Sequence, residues 1–157
     1  MPTQVDVRGY TLHVPDADSN VGWARVGEVF ILFGWAGKAP EDRMDQVFEG
    51  LEQAGVKTAV GASIGAIRLT SVQRKRLSEC IKGKRLVTVL DHNPIARGIV
   101  TALGWFGLKI EMTHWNQLDK AVAAMGPEQA SPQDVLAVLE TIQSAIIEIP
   151  KNLAAAS

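Results

Sequence analysis

The stretch Val60–Leu77, VGASIGAIRLTSVQRKRL, contains Gly61-Ala62-Ser63-Ile64-Gly65, a match to G-x-S-x-G. In α/β-hydrolases that pattern marks a strained strand-to-helix turn that lifts a serine above the sheet. The motif needs helix immediately after the serine. Here the best helix start is Thr70-Ser71, seven or eight residues later, where Thr70-Ser71-Val72-Gln73 fits a capping box. The preceding residues, VKTAVGASI, read as a short strand. Asp91 and His114 follow Ser63 in hydrolase order, but no H-G-G-type oxyanion stretch precedes it, and GWAGK is the nearest approach. Ser63 is therefore read as a small residue on a strand, where chain segments pass closely, and not as a nucleophile.

Alternating elements extend outward from this stretch. TQVDVRGYTLHV reads as one strand, and WARVGEVFILFGWAG as a hairpin turning at Gly27-Glu28. VFILFGW is the most apolar run, which suits a central strand buried on both faces. APEDRMDQVFEGLEQAG is a helix, with Pro40 at its start and Gly55 as its stop. The helix after Thr70 is expected to bury Val72, Leu77, Cys80 and Ile81. RLVTVL is a strand. DHNPIARGIVTALGWFG is a helix capped by Asn93, with Ile95, Ile99, Ala102, Leu103 and Phe106 on one face. LKIEM is a strand and HWNQLDKAVAAMG a short helix. SPQDVLAVLETIQSAIIEI is a last helix capped by Ser131, followed by a frayed tail, PKNLAAAS. Strands alternating with helices imply an α/β fold. The expectation is a mixed, mostly parallel sheet of five to six strands with an antiparallel edge hairpin. Residues 1–126 form the α/β domain and 127–157 an added C-terminal helical extension.

The 157 residues carry a net charge of −1, with 46% hydrophobic and 21% charged residues, which describes an ordinary globular domain with no global pull toward nucleic acid or membrane. No apolar run is long enough to span a bilayer, and no signal-peptide pattern is visible. With Cys80 the single cysteine, no intrachain disulfide forms, and a cytoplasmic location is expected. No phosphate-binding or dinucleotide glycine motif is present. His13, His92 and His114 lack metal-ligand spacing. Neither metal nor cofactor is expected.

The order of elements, together with residues 71–125, SVQRKRLSECIKGKRLVTVLDHNPIARGIVTALGWFGLKIEMTHWNQLDKAVAAM, resembles the STAS-like domains related to anti-sigma-factor antagonists. The likeness is carried by the helix Ala96-Arg97-Gly98-Ile99-Val100-Thr101-Ala102-Leu103-Gly104-Trp105 and extends over residues 22–126. It implies a bacterial, non-enzymatic protein-interaction module, a scaffold or signalling adaptor. It also implies a serine or threonine at the start of the second helix that a partner kinase phosphorylates. Thr70 and Ser71 stand at that place, but the family's aspartate is missing and Arg68 and Leu69 occupy the region. Helix capping also explains both residues.

Arg68, Arg74, Lys75, Arg76, Lys82, Lys84 and Arg85 face the single acid Glu79 within 68–85, so an acidic partner protein is expected there, with Arg74, Lys75, Arg97 and Trp105 as contacts. No aromatic residues interleave with these charges, which disfavours nucleic acid. Gly98 and Ala102 suggest a tight helix approach. The stripe Val135, Val138, Leu139, Ile142, Ala145, Ile146 and Ile149 either folds back onto the domain or pairs with a second copy. The alternatives are a small-ligand module, holding a nucleotide or lipid near Ser63, Asp91 and Arg97, and a hydrolase using Ser63.

Overall fold

Arg8 and Gly9 turn what reads as one strand into two. Both have positive φ, 51° and 86°. Such a pair suits a two-residue hairpin loop whose twist matches the flanking strands. β1 (Thr3–Val7) and β2 (Tyr10–Val14) therefore pair antiparallel. The computed structural model describes residues 3–104 and 107–156, and the side chains of residues 3, 99, 100 and 102–104 also lie outside that description.

The expected hairpin follows as β3 (Val21–Val26) and β4 (Val29–Lys38), turning at Gly27-Glu28. Then come α1 (Glu41–Leu51), β5 (Thr58–Arg68), α2 (Ser71–Cys80), β6 (Arg85–Leu90), α3 (Pro94–Gly104) and β7 (Ile110–His114). A 3-10 turn, Trp115–Gln117, leads into α4 (Leu118–Met125), and α5 (Pro132–Ala156) closes the described chain.

The seven strands stand in sequential order. The pairs from β1 to β4 are antiparallel and those from β4 to β7 parallel. The fold is α/β, but its sheet is evenly mixed, not mostly parallel. It has seven strands where five to six were expected, and four of them form the antiparallel part. Three successive crossovers step the same way along the sheet. Right-handed connections then place α1, α2 and α3 on one face. β4 serves both faces: Phe30 packs with Met44, Phe48 and Ile81, while Ile31 and Phe33 pack with residues of α4 and α5.

The C-terminal stripe folds back. Val135, Val138, Leu139, Ile142 and Ile146 are fully buried in the core on the second face. The capping role of Ser131 is formed, its Oγ accepting from the Asp134 N–H at 3.0 Å. The tail expected to fray continues α5 through Pro150 to Ala156, with Lys151–Ala156 exposed. At the hairpin tip Glu28 is 4% exposed. Its carboxylate accepts from the N–H groups of Gln129 and Ala130, and its main-chain oxygen accepts from those of Lys57 and Thr58. One residue thus joins the β3–β4 hairpin, the start of β5 and the α4–α5 connection.

Candidate functional site

Ser63 lies inside β5, which runs on for five residues to Arg68, longer than the short strand expected. It is 8% exposed. Its Oγ donates to the Gly65 carbonyl at 3.0 Å, and its own carbonyl accepts from Trp115 Nε1 at 2.7 Å. No helix starts here, so the strand-to-helix turn of a nucleophile elbow is not formed. Gly65 is needed for its backbone: φ is +73°, and an added Cβ would stand 2.8 Å from that of Ala36. Gly61, by contrast, leaves ordinary room, with Thr88 Cγ2 at 3.9 Å, so close approach does not explain it.

The parallel strands β5–β7 end beside a polar cluster. Asp91 Oδ2 accepts from the Gly65 N–H at 3.0 Å, while Oδ1 is buried without a partner among the described residues. His114 Nδ1 lies 3.3 Å from the Leu90 carbonyl. Its ring stacks on His92 at 4.8 Å between centroids. The place is one where open α/β sheets bind ligands, outside the carboxyl ends of the strands. His92 had no signal in the sequence beyond its neighbour Asp91. Among the described residues no group of three His, Cys, Asp or Glu side chains is arranged to hold a metal ion.

The capping box at α2 is formed as expected. Thr70 Oγ1 accepts from the Gln73 N–H at 3.1 Å, and Gln73 Oε1 accepts from the Thr70 N–H at 2.8 Å. Its consequence reaches the helix face. Gln73 is buried, and Leu77 and Cys80 follow it at helical spacing on the inner side. Val72, one position earlier, is rotated about 100° away. It is 77% exposed instead of buried as expected. Ser71 is exposed, its Oγ accepting from Arg74 Nη2 at 3.3 Å.

Val72 stands at the rim of a cleft of about 560 Å³ between α1 and α2, which Lys38, Glu41, Phe48, Thr70 and Arg76 also line. Arg76 is committed to α1. It pairs with Asp45 at 3.3 Å and Glu52 at 4.0 Å, and its guanidinium lies 4.8 Å from the centre of the Phe48 ring. Arg74 and Lys75 are exposed and form no ion pair among the described residues. The basic span is therefore not one patch. The ten residues of α2 make a helix about 15 Å long. Arg68, Arg74 and Lys75 lie toward its start, and Lys82, Lys84 and Arg85 beyond its end.

On α3, Asn93 Oδ1 caps the N–H groups of Ile95 and Ala96 at 2.9 and 3.2 Å. Ala96 is buried and Ile95 is 64% exposed, the reverse of the expected stripe. Gly98 faces open space, so no tight approach explains it. Arg97 is exposed. Trp105 and Phe106 lie outside the described residues, as do the side chains of Ile99, Ala102 and Leu103. Cys80 is a core residue: burial and the Glu52 carboxylate, 3.1 Å from its sulfur, push its thiol up to about 12.

No protein-family model matches the chain, and neither a curated protein nor a solved structure does. Among the described residues no helix is long and apolar enough to cross a membrane.

Proposed function

We propose that the chain is a non-enzymatic protein-interaction module of STAS-like type, a scaffold or signalling adaptor of the bacterial cytoplasm, and that it docks a partner on the start of α2. The observation that carries this reading is Val72. A large aliphatic side chain stands in solvent at the rim of the α1–α2 cleft, on the same short helix as Arg74 and Lys75, which form no ion pair among the described residues. An exposed apolar side chain on a helix that also carries unpaired cations suits a partner with an acidic surface. Ile95 and Arg97, on the first turn of α3, extend the same character. Within this reading Ser71 is the better phosphoacceptor, because Thr70 Oγ1 is occupied in the cap while the Ser71 hydroxyl is exposed. The test is quantitative affinity capture from the native host, comparing wild type with Arg74→Glu/Lys75→Glu and with Val72→Asp. A specific partner should be depleted by both, with circular dichroism unchanged. A capture profile indifferent to all three positions contradicts the reading.

One observation favours a second reading, a small-ligand module. Asp91 Oδ1 is a buried acceptor with no hydrogen-bond partner among the described residues, and its neighbour His92 stacks on His114. Thermal-shift screening of nucleotides and fatty acids, with Asp91→Ala as control, separates this from the first.

A further inference from the structure

A second charged surface lies at the other end of the parallel strands. Lys84 precedes β6, Arg85 opens it, Lys109 precedes β7, and Lys120 sits on α4. Together they line a cleft of about 750 Å³, in which Glu111 is the one acid. None of the four cations forms an ion pair among the described residues. Arg85 Nη1 donates to the Met125 carbonyl at 3.0 Å, which fixes its guanidinium at the wall. Asp119, the neighbour of Lys120, lines a different hollow, beside Gly126 and Pro132. In a chain of net charge −1, four cations against one carboxylate are a local excess.

This cleft opens beside the start of the last strand of the sheet, where Glu111 lines it. Among the described residues no strand pairs with the outer side of β7. An unpaired edge offers main-chain donors and acceptors to an added strand. Side chains alternate by face from Lys109 into β7. Lys109, just before the strand, and Glu111 line the basic cleft, whereas Ile110 packs with the α1 and α2 cluster, and Met112, on the same side, is 45% exposed.

We infer that β7 binds an extended acidic segment of a partner protein as an eighth strand. The lysines stand around the start of β7, not on it: acidic side chains at that end of the segment face Lys109, Lys84 and Lys120, and apolar ones between them lie beside Ile110 and Met112. The edge favours a peptide over a nucleic acid, because a strand satisfies its open main-chain groups and no aromatic side chain among the cleft's lining residues stacks a base. The surface differs from the one at the start of α2, so the two stand or fall separately.

The test uses the full chain and a fluorescein-labelled peptide of about ten residues in which Glu and Val alternate. Binding is read by fluorescence anisotropy and mapped by NMR on isotope-labelled protein. The expected result is saturable binding with shifts centred on Ile110–His114 and slowed amide exchange along β7. Lys109→Glu/Lys120→Glu should weaken it by at least about tenfold. Both residues are exposed, so folding should persist; Lys109→Gln gives a milder variant should it not. A peptide of equal charge with prolines at alternate Val positions, which removes main-chain donors, should also bind at least about tenfold more weakly. Absence of binding, equal binding of the proline peptide, shifts away from β7, or tighter binding of a single-stranded oligonucleotide would each overturn the inference.

Discussion

The carboxylate of Glu28 accepts a 2.6 Å hydrogen bond from the main-chain N–H of Gln129, 101 residues further along the chain. Burial alone would raise the pKa of this carboxyl. The N–H groups of Gln129, Ala130, Glu128 and Glu28 itself outweigh burial and hold it below its ordinary 4.5. A carboxylate with a lowered folded-state pKa contributes stability above the unfolded value, and that contribution fades as pH falls through the folded value. Denaturant melts should show Glu28→Gln destabilised by about 1–3 kcal/mol at pH 7. The gap between variant and wild type should narrow below pH 4.5. A gap that stays constant from pH 7 to the lowest pH at which both fold would contradict the charge-based account.

The last helix belongs to the core. Leu139 and Ile142 are fully buried, so replacing either by alanine should cost about 2–5 kcal/mol in chemical denaturation. A chain ending at Gly126 should lose its cooperative transition and its near-ultraviolet dichroism. Cooperative unfolding of that fragment would show that α5 is an accessory.

Thr70 and Ser71 should separate in a stability assay. Thr70→Ala removes an N-cap and should cost about 0.5–2 kcal/mol. Ser71→Ala removes only an exposed contact to Arg74 and should be close to neutral. Equal losses at both sites would show that the cap is not the source.

Much of this arrangement is legible locally. The caps at Thr70, Asn93 and Ser131 and the turn at Gly27-Glu28 follow from chemistry within four residues, and all form. The departures have longer-range causes. Arg8 is a rare residue at positive φ, so the first hairpin reads as a single strand. The short strand read over VKTAVGASI ends at Ile64, yet the Gly65 N–H is held by Asp91, 26 residues away, and β5 continues through it. Val72 and Ile95 suit an inward stripe by type, but they sit on first turns whose rotation is set by Gln73 and Ala96. The basic run is contiguous in sequence and divided in space, because a helix carries its two ends apart. Ser63 and Asp91 stand out in the sequence, whereas the stacking of His92 on His114 depends on β6 and β7 ending side by side.

On the proposed function the start of α2 is a partner surface. Its most direct test is site-specific photocrosslinking in the native host, with a benzophenone amino acid at Val72 and, as a control, at Glu140, an exposed position on α5. A discrete crosslinked partner is expected from Val72 and not from Glu140, and it should disappear when Arg74→Glu/Lys75→Glu is added. Identical crosslinks from both positions, or none from Val72, would contradict the account.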